Sequence, residues 1–148
     1  MSIQTRLAED IKSAMKARDA VRLGTLRYTM AAIRQREIDS RHELDEAEVV
    51  SILDKLIRQH SESATAFRAG NRPDLTQAAE AEIVLVSSYL PPRLSDTELD
   101  LIIDQAIGAL DAQSLKDMGR VMNRLKEELA GRADLSKVSR EVRSRLGG

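Results

Sequence analysis

Tyr89-Leu90-Pro91-Pro92-Arg93-Leu94-Ser95-Asp96-Thr97-Glu98 divides the chain. Two consecutive prolines cannot continue a helix, and each restricts the residue before it. A new helix opens just beyond them, because Ser95-x-x-Glu98 has the form of a capping box, a hydroxyl and a carboxyl three residues apart. The main boundary therefore falls here. Residues 1–90 form one predicted domain and residues 91–148 another.

Upstream of the prolines, helical periodicity dominates. Ile3, Leu7, Ile11 and Met15 recur every four residues and predict a first amphipathic helix. Leu23, Leu26, Met30 and Ile33 predict a second, with Asp19 as its N-cap. Asp45 and Glu48 have capping spacing, and the stripe Val49, Leu53, Leu56, His60, Ala64, Phe67 comes after them. Gly70 stops this third helix as a C′ residue. Pro73 and Asp74 suit the first turn of a fourth, carried to the prolines by Leu75, Ala79, Ile83, Val86 and Leu90. The run Ile83-Val84-Leu85-Val86 has strand-like composition, but the helical period extends on both sides of it.

Downstream, Leu99, Ile102, Ile103, Ala106, Ile107 and Leu110 predict the fifth helix. Ser114 or a neighbour opens the sixth, with Leu115, Met118, Met122, Leu125 and Leu129 inward and Gly131 at its end. Asp134 caps the seventh, which turns Leu135, Val138, Val142 and Leu146 inward, and Gly147-Gly148 form a frayed tail. The predicted fold class is all-α, four helices and then three.

Composition agrees. The 148 residues include one Phe, two Tyr and no Trp, so the core is built from aliphatic side chains and Ala. Such a chain suits helices better than sheets. The same scarcity excludes a surface that stacks unpaired bases on rings. Without Cys there is no disulfide, thiolate-held metal or thiol nucleophile. His42 and His60 alone leave little room for a transition-metal site, so no metal and no cofactor is expected. No apolar run is long enough to span a membrane, and no basic head precedes an apolar stretch; the expectation is a cytoplasmic protein with no membrane partner.

The net charge of −1 conceals an uneven layout. Residues 1–37 are net +4, residues 38–90 net −5, residues 91–112 net −4 and residues 113–148 net +4. In the last segment, Lys116, Arg120 and Arg124 lie at i, i+4, i+8. Arg132 comes next, and Lys137, Arg140, Arg143 and Arg145 decorate the seventh helix. Guanidinium and ammonium groups in such an array suit the phosphates of a structured RNA. Ordinary helix-surface charge, partly paired with Glu127, Glu128 and Glu141, accounts for the same pattern. The candidate nucleic-acid contacts are Lys116, Arg120, Arg124, Arg132, Lys137, Arg140 and Arg143. Arg18 and Arg22, with Arg27 and Arg34, form a second basic face that either extends this footprint or pairs with acidic helices. No catalytic residue is assigned. Ser87-Ser88 has no base at a defined spacing, and His60 sits on an apolar stripe as a packed, hydrogen-bonded residue.

Four segments carry a resemblance. They are Phe67-Arg68-Ala69-Gly70-Asn71-Arg72-Pro73-Asp74-Leu75, Tyr89-Leu90-Pro91-Pro92-Arg93-Leu94-Ser95, Asp117-Met118-Gly119-Arg120-Val121-Met122, and Gly131-Arg132-Ala133-Asp134 before Val138-Ser139. In this order and spacing the chain resembles the YqeY family over essentially its whole length. The C-terminal part of that family is similar to the tail domain of the B subunit (GatB) of the glutamyl-tRNA(Gln)/aspartyl-tRNA(Asn) amidotransferase. Where the family often has Gly after the Ala-Asp pair, this chain has Leu135. The resemblance implies an N-terminal four-helix domain, a small three-helix tail-like domain, and contact with tRNA or other structured RNA by shape and backbone. It also brings the label of a carbon–nitrogen ligase with glutamine as amide donor. That chemistry needs an activated nucleophile and a metal-assisted phosphate site, neither of which is readable here, so the isolated chain is expected not to be the enzyme. The alternative is a protein-interaction adaptor that docks on an amidotransferase, an aminoacyl-tRNA synthetase or another RNA-handling complex.

Overall fold

The computed structural model describes residues 1–129 and 131–147. Among them are seven α-helices and no strand: α1 (Ile3–Ala17), α2 (Ala20–Ser40), α3 (Glu46–Ala69), α4 (Pro73–Ser87), α5 (Asp96–Ala109), α6 (Met118–Leu129) and α7 (Leu135–Gly147). A 3₁₀ turn, Leu115–Asp117, leads into α6. Gly147, predicted as part of a frayed tail, is the last residue of α7, and Gly148 lies outside the described residues. The chain divides into two compact units, Met1–Leu90 and Pro91–Gly148.

Local chemistry sets the helix starts. Asp19 accepts from Arg22 N, Ser95 from Glu98 N and Asp134 from Ser136 N. At α3 the capping box is complete: Asp45 accepts from Glu48 N at 2.8 Å and Glu48 returns to Asp45 N at 2.9 Å. At α5 the Glu98 carboxylate accepts instead from the Ser95 hydroxyl, at 3.1 Å.

The ends of α3 and α4 depart from the sequence reading. Gly70 has φ −83°, and the left-handed residue is Asn71, φ 56°. Asn71 N donates to Arg68 O and Arg72 N to Phe67 O, the two bonds of a Schellman motif. Asn visits this conformation more readily than most side chains, because its short amide can hydrogen-bond locally. The fourth helix stops at Ser87 rather than Leu90, because Tyr89 N and Leu90 N bond three residues back, to Val86 O and Ser87 O, as the chain approaches Pro91.

In the first unit, α1 with α2 and α3 with α4 pack as helical hairpins around Leu7, Leu26, Ile33, Val49, Leu53 and Val86, each less than 2% exposed. Met15, predicted inward, is 51% exposed, and Ala14 is buried in its place. Steps of four residues advance the stripe by about 40° each on a 3.6-residue helix, so the series starting at Ile3 walks off the core. His60 bridges α3 to α4, its Nδ1 2.8 Å from Glu82 Oε2. Tyr89 is buried against α1.

In the second unit, Leu99, Ile103 and Ala106 of α5 meet Val121, Leu125 and Leu129 of α6 and Val138 and Val142 of α7. Leu94 N donates to Arg132 O at 2.9 Å, which ties the segment before α5 to the turn between α6 and α7. Gly131 takes φ 73° in that turn, as its predicted role at the helix end requires. Leu115, predicted inward, is 52% exposed because it lies on the 3₁₀ turn and not on α6.

Candidate functional site

The acidic and basic residues of the second unit are sorted by which helices lie side by side. Asp96, Asp100 and Asp104 stand at i, i+4, i+8 on α5, and Lys137, Glu141 and Arg145 stand at the same spacing on α7. Lys137 Nζ lies 3.0 Å from Asp96 Oδ1. Arg145 reaches Asp100 at 2.8 Å, Asp104, and Glu141 of its own helix at 3.2 Å. Lys137–Asp96 and Arg145–Asp104 are both 41 residues apart, so these helices run in the same direction. Lys137 and Arg145 are thus engaged by α5. Arg145, with its side chain only 21% exposed, is an internal tie.

Arg120 is also engaged. Its Nη2 donates to Leu110 O at 3.1 Å and to Asp117 Oδ1 at 3.0 Å. Asp117 accepts in turn from Gln113 N, and that bond, followed by Arg120, holds its carboxyl below the usual range. Asp117 therefore closes the approach to α6, a role the sequence assigns to Ser114 or a neighbour. Lys116 lies in the 3₁₀ turn before the helix, so Lys116, Arg120 and Arg124 do not form one helical stripe.

The other side of α7 faces α6. Between them is a groove of about 600 Å³ lined by Met122 and Lys126 of α6 and by Leu135, Ser136, Ser139 and Arg140 of α7. Its lining combines two apolar side chains with two cations and two hydroxyls. Ser136, Arg140 and Arg143 share one face of α7 at i, i+4, i+7. Lys126, Arg140 and Arg143 make no ion pair among the described residues, and neither do Lys116 and Arg124.

Of the seven predicted contacts, the structure brings Arg140 to the groove and places Arg143 on the same helix face. Arg120 and Lys137 turn to carboxylates, Arg132 is half-buried in the interhelical turn, and Lys116 and Arg124 are exposed. Lys126, Ser136 and Ser139 line the groove without having been predicted. Their signal is present, since Lys126 stands four residues after Met122 and so borders the core stripe, but it has meaning only once α7 lies alongside. Among the described residues no cluster of three or more His, Asp or Glu is arranged to hold a metal ion, and no helix is long and apolar enough to cross a membrane.

Curated relatives from several organisms carry one name. A protein of Lachancea thermotolerans called altered inheritance of mitochondria protein 41, mitochondrial, is 35% identical over 107 residues, which is 70% of this chain and 57% of the relative. The protein of that name from Pyrenophora tritici-repentis is 27% identical over 145 residues, 96% of this chain and 80% of the relative. The one from Vanderwaltozyma polyspora is 33% identical over 107 residues, 70% of this chain and 58% of its own length. The chain thus spans little more than half of two of these relatives. These names overturn the cytoplasmic expectation, because each relative is named as a mitochondrial protein. The reason is physical: a compartment is specified by an address segment that a receptor reads, and the composition of folded helices carries no such address. The family model for Yqey-like proteins matches residues 4–146, and the chain belongs to the YqeY family.

Proposed function

We propose that the second unit is a phosphate-contacting module for tRNA or another structured RNA. The observation that carries this reading is the groove between α6 and α7, where Lys126 and Arg140 stand over Ser136 and Ser139 without carboxylate partners among the described residues. A flexible ammonium, a planar guanidinium and hydroxyls on a concave edge are the donors that phosphate and ribose oxygens accept. Arg143 extends the edge along α7. The surface reads backbone and shape, because the two tyrosines of the chain, Tyr28 and Tyr89, both lie in the first unit. Amide transfer is not part of this reading.

Filter binding of total tRNA across a salt series is the test. Binding that weakens steeply with salt is expected. Lys126→Glu with Arg140→Glu should abolish it, whereas Lys137→Glu should have a small effect because Lys137 already faces Asp96. Absence of binding at low salt, or equal loss from Lys137→Glu, overturns the proposal.

A further inference from the structure

The side of α2 that looks away from the core has a pattern of its own. Val21, Gly24, Tyr28, Ala31, Gln35 and Ile38 are spaced alternately three and four residues apart, the a/d spacing of a coiled-coil seam. All six are exposed, and Val21, Tyr28 and Ile38 are 76%, 57% and 69% exposed. The buried residues of the same helix, Leu26, Thr29, Met30 and Ile33, occupy the opposite side. A helix needs one apolar stripe to join its own core. This one carries a second, with open space at its narrowest point, because a Cβ built on Gly24 meets no atom within 4 Å. Glycine weakens a helix interior, and what it offers here is close approach for another backbone.

Charge flanks the seam on one side. Arg27 and Arg34 stand seven residues apart at g positions of the same heptads, Arg41 is the left-handed C-cap just beyond the helix, and all three are exposed. None of them makes an ion pair among the described residues. The acidic residues of α2 do not neutralise the row: Glu37 accepts from Gln4 Nε2 and Leu44 N, and Asp39 accepts from Gln35 Nε2.

We propose that this face of α2 docks an amphipathic helix of a partner protein, one that presents an apolar a/d row flanked by Glu or Asp opposite Arg27 and Arg34. The charges disfavour a second copy of the chain. Antiparallel pairing of two α2 helices sets arginine row against arginine row, and parallel pairing offers a single acidic flank residue, Asp39. A phosphate surface would use the arginines but not the apolar row beside them. The polar Gln35 within the seam fixes register, the established use of a lone polar residue at such a position. This docking surface lies in the first unit and does not depend on the RNA reading of the second.

The test uses the full chain and two labelled synthetic peptides of roughly three heptads, alike in a Leu/Ala seam, one with Glu and one with Lys at the flanks. Fluorescence anisotropy should show the Glu peptide binding at least about tenfold more tightly than the Lys peptide. Arg27→Glu with Arg34→Glu, both on exposed positions, should reverse that preference while the circular dichroism and Tm stay unchanged. Tyr28→Asp should weaken binding of the Glu peptide without reversing the preference. The Lys126→Glu, Arg140→Glu variant should bind the peptides as the parent does, which separates this surface from the RNA edge. Equal binding of the two peptides, or of neither, overturns the proposal. So does dimerisation in sedimentation velocity that Tyr28→Asp abolishes, or association with phosphatidylserine vesicles or tRNA that the Arg27→Glu, Arg34→Glu pair abolishes.

Discussion

The hydroxyl of Tyr89 donates to the carboxylate of Asp10, joining a residue just ahead of Pro91-Pro92 to the middle of α1 across 79 positions of sequence. Arg6 completes the clamp, its guanidinium 4.9 Å from the Tyr89 ring centroid and its Nη2 bonded to Ser88 O at 3.3 Å. The phenol is buried, and burial followed by the Asp10 bond pushes its pKa well above the ordinary value of 10.0. Tyr89→Phe should lower the stability of the first unit by about 1.5–3 kcal/mol in urea denaturation, the worth of a hydrogen bond to a charged group.

The same shift predicts a pH dependence. Below pH 10 the folded and unfolded chains both hold the phenol proton, and its contribution is fully present. As pH rises past 10, the unfolded chain loses the proton while the folded chain keeps it, so stability falls. Spectrophotometric titration should show one phenol that ionises only as the protein unfolds, and that step should be missing in Tyr89→Phe.

A second titrating pair sits at the start of α3. His42 Nε2 lies 3.1 Å from Glu48 Oε1, and that contact, with Ser40 O near Nδ1, holds the imidazole pKa above 6.5. Glu48 is held below 4.5, first by Asp45 N and then by His42. The pair's full contribution is present between about pH 4.5 and 6.5. It is lost upward as His42 deprotonates and downward as Glu48 protonates. Glu48→Gln keeps an acceptor for Asp45 N, so α3 should remain capped while the His42 titration, monitored by NMR, moves down toward 6.5.

The turn between α3 and α4 distinguishes two neighbouring positions. A Cβ on Gly70 would come no closer than 3.4 Å, to Ala66 O, and φ there is −83°. Gly70→Ala should therefore stabilise by about 0.4–1 kcal/mol, through the entropy of the unfolded chain. Asn71→Ala, at φ 56°, should destabilise by about 1 kcal/mol. Thermal unfolding of both variants checks the opposite signs.

In the second unit, Arg145→Ala should cost about 1–3 kcal/mol, since it strips bonds from Asp100, Asp104 and the Asp100 carbonyl together. Lys137→Ala, an exposed single pair, should cost less than about 1 kcal/mol. A double-mutant cycle of Arg145→Ala with Asp104→Asn should show coupling; simple additivity would mean that Arg145 does not tie α5 to α7.

The helices and most of their caps are legible in the residues because the forces behind them act within a few positions. Asp19, Asp45, Ser95 and Asp134 each reach a backbone N–H two or three residues away, and the apolar period repeats within a turn. The left-handed residue after α3 lies one position beyond the predicted Gly70, because Asn71 can adopt the conformation that glycine usually supplies.

An all-helical chain with a basic last segment is specified by the amino-acid order alone, since helix propensity, capping and net charge are properties of neighbouring residues. Which of those charges are available is a matter of packing. Coulomb attraction depends on distance in space, and a parallel α5 sets Asp96, Asp100 and Asp104 against Lys137 and Arg145, 41 residues away for two of the pairs. The packing of α7 beside α6 makes an edge of Lys126 and Arg140 that their sequence spacing does not announce. Likewise, a 3–4 apolar repeat on α2 becomes an outward seam only because Leu26, Met30 and Ile33 on its other face have already satisfied the core.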